Sequence, residues 1–227
     1  MRLWSALAAL GALVLSGCSQ QLPTYRYRMT VEVETPEGLK TGSSVIEVKT
    51  WNNGKGFPGP EAGGIRTQVR GEAVAINIAP GQTLFALLGS PDNPDYAAGI
   101  AMAVLLPEKP FKGGSPEVWG QNLEALQNVK GARAVPADKW PFLVRFRDVK
   151  DPKSVEEVSP DALGGDVHIK RITIEVTDDD VTSGIEKRLP WIPSMRGKLL
   201  DGTNIIFPAG SLSNKIGTGD FSAGVKA

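Results

Sequence analysis

One histidine and one cysteine are all that 227 residues offer in imidazole and thiol chemistry. A Ser-His-Asp relay would have to run through His168, with Asp166 or a more distant acid behind it. No G-x-S-x-G elbow is present to hold the nucleophile. Strand alternation puts His168 on one face with Lys170, at the polar start of a strand whose apolar part comes later. The simpler expectation is a histidine on the rim. Gly54-Lys55-Gly56-Phe57-Pro58-Gly59 matches G-x-G-x-x-G, with Glu72 further on. A dinucleotide site needs the third glycine to open a helix toward the pyrophosphate. Here Pro58 and Pro60 precede a segment that reads as a strand, so a hairpin loop is expected. No G-K-[ST] follows, which removes a Walker loop.

Two further clusters carry residue types suited to binding. Asp178-Asp179-Asp180 lacks the spacing of a calcium loop, and adjacent carboxylates on a strand point to opposite faces. A solvated strand end is expected there, with no metal and no cofactor. Trp191, between Pro190 and Ile192-Pro193 and near Lys187, Arg188 and Arg196, is a candidate contact for a partner. Phe57 is a second. For both, folding back onto their own domain is the simpler account.

Cys18 stands apart because of what precedes it. Met1-Arg2 supply the positive start, and Leu3 to Leu15 form an uncharged, largely apolar run. At about 1.5 Å per residue such a run falls well short of a ~30 Å hydrocarbon core. It fits the apolar region of a cleavable export signal instead. The run closes on Leu15-Ser16-Gly17-Cys18, which resembles the bacterial lipobox. That resemblance implies a diacylglyceryl group on the Cys18 sulfur, cleavage before Cys18, and acylation of the new amino terminus. A lone thiol that can form no disulfide within its chain suits this role. Two or more acyl chains anchor stably where one does not. Ser19, in place of the aspartate that tends to retain lipoproteins in the inner membrane, implies the outer membrane of a Gram-negative cell.

Composition narrows the classes of function. The chain carries 25 Lys+Arg and 25 Asp+Glu, and loss of the leader removes Arg2 as its only charged side chain. A near-neutral body lacks the basic excess of a nucleic-acid binder. With one cysteine, neither cross-links nor thiolate zinc sites can stabilise it, so packing must.

The elements follow from periodicity. Tyr25, Tyr27, Met29, Val31 and Val33 alternate with charged or polar residues, the clearest strand in the chain. Residues 43–51 read as its antiparallel neighbour, 65–79 as one long strand, and 83–89 as its hairpin partner. Asn93-Pro94 and Ser115-Pro116-Glu117 are helix starts for 95–106 and for a second helix carrying Trp119, Leu123 and Leu126. Segments 141–149 and 166–176 return to strands, and Asp201-Gly202 suggests a turn between two short ones. The small, polar residues 209–227 read as a mobile tail. The expected organisation is a signal peptide (1–17), a lipidated tether (18–23), one domain (24–208) and that tail. Its class is α+β, a mainly antiparallel sheet with about two helices packed on it.

The phrases "YRYRMTVEVETPEGLKTGSSVIEV", "VRGEAVAINI", "TLFALL", "FRDVKDPKSVEEVSPDAL" and "IKRITIEVTDDDVTSGIEKRLPW" resemble a group of uncharacterised proteobacterial proteins. The likeness implies a single domain and assigns no activity. Together these features point to a non-enzymatic envelope lipoprotein that binds or scaffolds another envelope component, such as an envelope protein, and is held to the membrane through Cys18. The alternatives are an envelope hydrolase using two carboxylates across a cleft, and a carrier of an apolar ligand.

Overall fold

The computed structural model describes residues 20–54, 64–109, 114–160 and 163–224. Its first sheet grows from the strand that alternates most strictly. β2 (Tyr25–Thr35) buries every odd residue from Tyr25 to Val33, and its even residues look outward. It turns over Pro36-Glu37 into β3 (Gly38–Asn52), with Thr35 opposite Gly38 and Tyr25 opposite Val48. The second strand therefore begins at Gly38 rather than at residue 43, because the tight turn lets pairing run to its end. With β4 (Ile65–Glu72), β10 (His168–Val176), and short β7 (Arg133–Ala134) and β11 (Ser222–Ala223), the order is β11-β4-β3-β2-β10-β7. β1 (Gln20–Gln21) adds to β3 opposite Asn52 and Trp51. All of these pairings are antiparallel.

The segment 65–79 is not one strand. Chain direction breaks at Gly71–Ala73, and β5 (Val74–Ala79) leaves for a second antiparallel sheet. There it joins β6 (Gln82–Ala86), β8 (Leu143–Phe146) and β9 (Val155–Glu157), in the order β5-β6-β8-β9. Gly71 makes the break possible: its φ is +153°, and a Cβ would sit 3.1 Å from the Ile46 Cα. Gly42 lets the two sheets touch, since a Cβ there would lie 2.7 Å from the Ala75 carbonyl oxygen. Where β4 departs, Thr182 takes up the freed edge of β3, its Oγ1 accepting from Val45 N–H at 2.8 Å.

α1 (Tyr96–Leu105) is apolar almost all round and accordingly buried. Its helical turns begin at Tyr96, two residues after the expected Pro94, because Ser90 and Asn93 close a turn on each other first. Tyr25 and Tyr27 donate across the core to the Ala98 and Ala97 carbonyls, at 3.1 and 2.8 Å. α2 (Pro116–Gln127) starts as its sequence predicts, with Ser115 as cap and Pro116 in the first turn, and buries Trp119, Leu123 and Leu126. The result is the α+β class expected, in two antiparallel sheets with two main helices.

The first and last described segments are better held than their composition suggests. Leu22 is buried, and β1 carries Gln20 into the ladder, so residues 20–22 of the expected tether 18–23 belong to the body. At the other end, residues 209–224 are not a loose tail. They supply a 3-10 turn (Leu212–Asn214), α3 (Thr218–Phe221) and β11, and they bury Ile216 and Phe221. Phe221 joins Phe85, Phe146 and Trp191 in a second core, at ring separations of 5.8, 5.7 and 5.9 Å.

Candidate functional site

The residues singled out for chemistry are dispersed by the fold. His168 is exposed at the sheet rim, its Nε2 2.8 Å from Glu34 Oε2, while Lys170 holds the other Glu34 oxygen at 2.7 Å. Those partners, Lys170 first, lower the Glu34 pKa. Asp179 is engaged by Arg28 and by the Thr177 hydroxyl, whereas Asp180 stands in solvent. No cluster of potential metal ligands occurs among the described residues. Gly54 and Gly64 pair at the base of a loop between antiparallel strands, Gly64 N–H donating to the Gly54 carbonyl at 3.1 Å, which is hairpin geometry. Phe57 and Cys18 lie outside the described residues.

Trp191 is folded back onto its own domain. It is 8 % exposed, its Nε1 donates to the Val149 carbonyl at 2.9 Å, and its ring packs on Phe146 and Phe221. The surrounding prolines bend the chain so that the indole covers the second core. A buried indole whose N–H has found a carbonyl is a packing residue.

The surface feature that stands out lies beyond it. Ile205, Ile206 and Phe207 follow one another and are 63 %, 62 % and 52 % exposed. Three adjacent apolar side chains in solvent call for an explanation. The sequence suggests a short strand after the Asp201-Gly202 turn. Instead, side chains lock the backbone into an open loop. Asn214, itself buried, donates from Nδ2 to Asp201 Oδ2 at 2.6 Å and to the Ile205 carbonyl at 2.8 Å. Its Oδ1 accepts from Phe207 N–H at 2.6 Å. Asp201 Oδ1 takes Thr203 N–H and Oγ1 at 2.8 and 2.7 Å. The Thr203 N–H, more than the other donors, keeps the Asp201 pKa below its ordinary value. With its carbonyl and amide satisfied, the loop has no backbone demand that would fold its side chains inward.

Ile206, Phe207 and Pro208 edge a cleft of about 680 Å³, whose other walls are Ser90–Asp92, Pro94, Lys198, Lys215 and Gly217–Asp220. Asp220 sits at the start of α3, where Oδ2 accepts from Gly217 N–H at 2.8 Å. Gly89 makes room for it, since a Cβ would lie 2.9 Å from Asp220 Oδ1. Burial raises the Asp220 pKa, and the Gly217 N–H only partly offsets this. Asp92, Lys198 and Lys215 line the same cleft. The arrangement offers an apolar edge, two ammonium groups and two carboxylates, one of them mostly desolvated. It can receive an apolar side chain together with polar or charged neighbours. Two smaller grooves, of about 430 and 390 Å³, lie beside Arg188 and Trp140.

No family model matches the chain, and no curated protein or solved structure resembles it significantly. Among the described residues no helix is long and apolar enough to cross a membrane.

Proposed function

We propose that this chain is an exported lipoprotein of a Gram-negative outer membrane, joined to lipid through Cys18, whose body binds an envelope protein at the cleft edged by Ile206 and Phe207. The anchor is supported by the Leu15-Ser16-Gly17-Cys18 motif behind an export-like leader. The binding role rests on one observation: Ile205-Ile206-Phe207 are held in solvent by a buried asparagine rather than left there by a slack loop. Ordering costs are met before a partner arrives, which favours affinity. Aromatic and aliphatic anchors of this kind carry much of the energy of protein interfaces.

The expected result is that the double substitution Ile206→Asp/Phe207→Asp abolishes co-purification of a partner from detergent-solubilised envelopes, a loss of at least tenfold. Neither side chain is buried, so the melting temperature should stay within a few degrees. An unchanged set of co-purifying proteins would contradict the binding site. The hydrolase reading stands second, on the presence of Asp92 and Asp220 in one cleft. Release of soluble glycan from cell walls, abolished by Asp220→Asn, would move it to first place. The carrier reading draws no comparable support, because Tyr25, Tyr27, Met29 and Leu123 fill the space between sheet and helices.

A further inference from the structure

Residues 185–221 cover one face of the second sheet, and the cover stops short. Phe85, Val144 and Val155 on that face are buried in the second core with Leu189, Trp191 and Phe221. Ala75 is opposite Phe85 and Asn77 opposite Thr83, so by alternation the same face runs on through Asn77 and Thr83 to the β5–β6 turn. At that end it opens into the groove of about 430 Å³ beside Arg188. Ala79, Pro80, Phe146 and Val149 give this groove apolar walls, together with the buried Phe85. Phe146 is only partly buried, and Val149 is 38 % exposed. The Val149 carbonyl accepts from Trp191 Nε1 at 2.9 Å, which fixes the loop that presents this side chain.

Three charged side chains line the groove, and one of them lacks a counterion. Lys40 Nζ and Glu37 Oε2 pair at 3.0 Å. Arg188 pairs with no carboxylate among the described residues. Its Nη1 donates instead to the amide oxygen of Asn77 at 2.8 Å, and the Thr83 hydroxyl donates to that same oxygen at 3.1 Å. A neutral group thus aims the guanidinium and leaves its charge whole, with donors to spare. Acids on the neighbouring segments are engaged elsewhere. Asp148 Oδ1 accepts from Lys150 N–H at 2.9 Å, and Glu156 pairs with Arg145 and Arg147. Glu186, two positions before Arg188, makes no ion pair with it, and its charge acts on Glu72. An unpaired arginine beside apolar walls selects an anion with an apolar body. A carboxylate matches the planar fork of the guanidinium through two parallel bonds. The Asn77 oxygen already accepts twice, so beyond the charged head the walls favour hydrocarbon over a polar chain. Such a ligand would lie on the second sheet, apart from the filled space between the first sheet and the helices.

We infer that this groove binds an aliphatic carboxylic acid, with its carboxylate on Arg188 and its chain along Phe146 and Val149. The inference goes beyond the partner cleft and depends neither on that cleft nor on a lipid at Cys18. Radiolabelled decanoate is equilibrated by dialysis with the full chain, and decanol serves as the uncharged comparison. The parent should bind decanoate more tightly than decanol. Arg188→Gln should weaken decanoate binding roughly 10- to 100-fold, the loss expected for hydrogen bonds to a charged group, and leave decanol binding as it was. Val149→Asp sets a second carboxylate against the ligand and should weaken decanoate as well. Both side chains are exposed, so melting followed by circular dichroism should move little for either variant. Lys187→Gln removes an equal charge outside the groove and should leave decanoate binding at the parent level. Four results would overturn the inference: no binding of decanoate by the parent, decanol bound as tightly, Arg188→Gln binding as the parent does, or an equal loss in Lys187→Gln.

Discussion

Phe221→Ala is expected to lower stability by about 3–5 kcal/mol, the range for removing a fully buried aromatic ring. For a body of this size that corresponds to a fall in melting temperature of roughly 10 °C. The ring is completely inaccessible and touches Phe85, Phe146 and Trp191, so its removal opens a cavity among three aromatics that cannot all close over it. The backbone at the same point ties both sheets together: the Phe221 carbonyl accepts from Ala73 N–H at 2.9 Å, where the chain passes between them. A mobile tail would make the same substitution silent. Thermal unfolding followed by circular dichroism separates the two outcomes, and a shift of less than 2 °C would contradict the packing described for this segment.

Glu72→Ala should cost about 4 kcal/mol. Glu72 is 2 % exposed at the end of β4, and its two carboxylate oxygens accept from Gly184 and Ile185 N–H, each at 2.9 Å. Truncation leaves the buried Ile185 N–H and the partly buried Gly184 N–H without an acceptor, at about 1–3 kcal/mol each. Glu72→Gln keeps one acceptor and turns an amide N–H₂ toward the other donor, so it should cost less but still register. The pH dependence has a definite sign. Burial raises the Glu72 pKa, helped by the nearby Glu186 and opposed by the two N–H donors. A carboxyl raised above its unfolded value contributes stability that is complete below the unfolded pKa and is lost as pH rises through the folded one. The gap between the parent and Glu72→Gln should therefore be widest in acid and narrow toward neutral pH. Urea unfolding at two pH values tests this, and a gap that widens toward neutral pH would contradict it.

How much of this was legible depended on whether a residue's role was local. The β2 strand declared itself because five apolar residues alternate without interruption from Tyr25 to Val33, and the start of α2 because Ser115-Pro116-Glu117 is a self-contained signal. The break at Ala73 left a weaker trace. Ile65 and Val69 occupy odd positions and Val74, Ile76 and Ile78 even ones, a slip of phase that marks the change of sheet. The ordered C-terminus was hidden because Ile216 and Phe221 share no period and sit among glycines and serines. Phe221 is buried by Phe85, Phe146 and Trp191, rings that its own neighbourhood in the chain does not contain. For the cleft, Ile205 and Ile206 look like strand residues by type, and only Asn214, reaching back from the next turn, decides otherwise. Arg26, Lys49 and Arg70 gather around the Glu47 carboxylate only through the register of three strands, which no local pattern announces.

The location proposed for the protein rests on a single sulfur, that of Cys18. The protein purified from envelopes of cells expressing the full chain should give an intact mass that begins at residue 18 and carries a diacylglyceryl thioether, with or without an acylated amino terminus. The Cys18→Ser form should keep its leader and lose stable attachment. An envelope-purified chain with an unmodified thiol at Cys18, or one still carrying residues 1–17, would contradict the account.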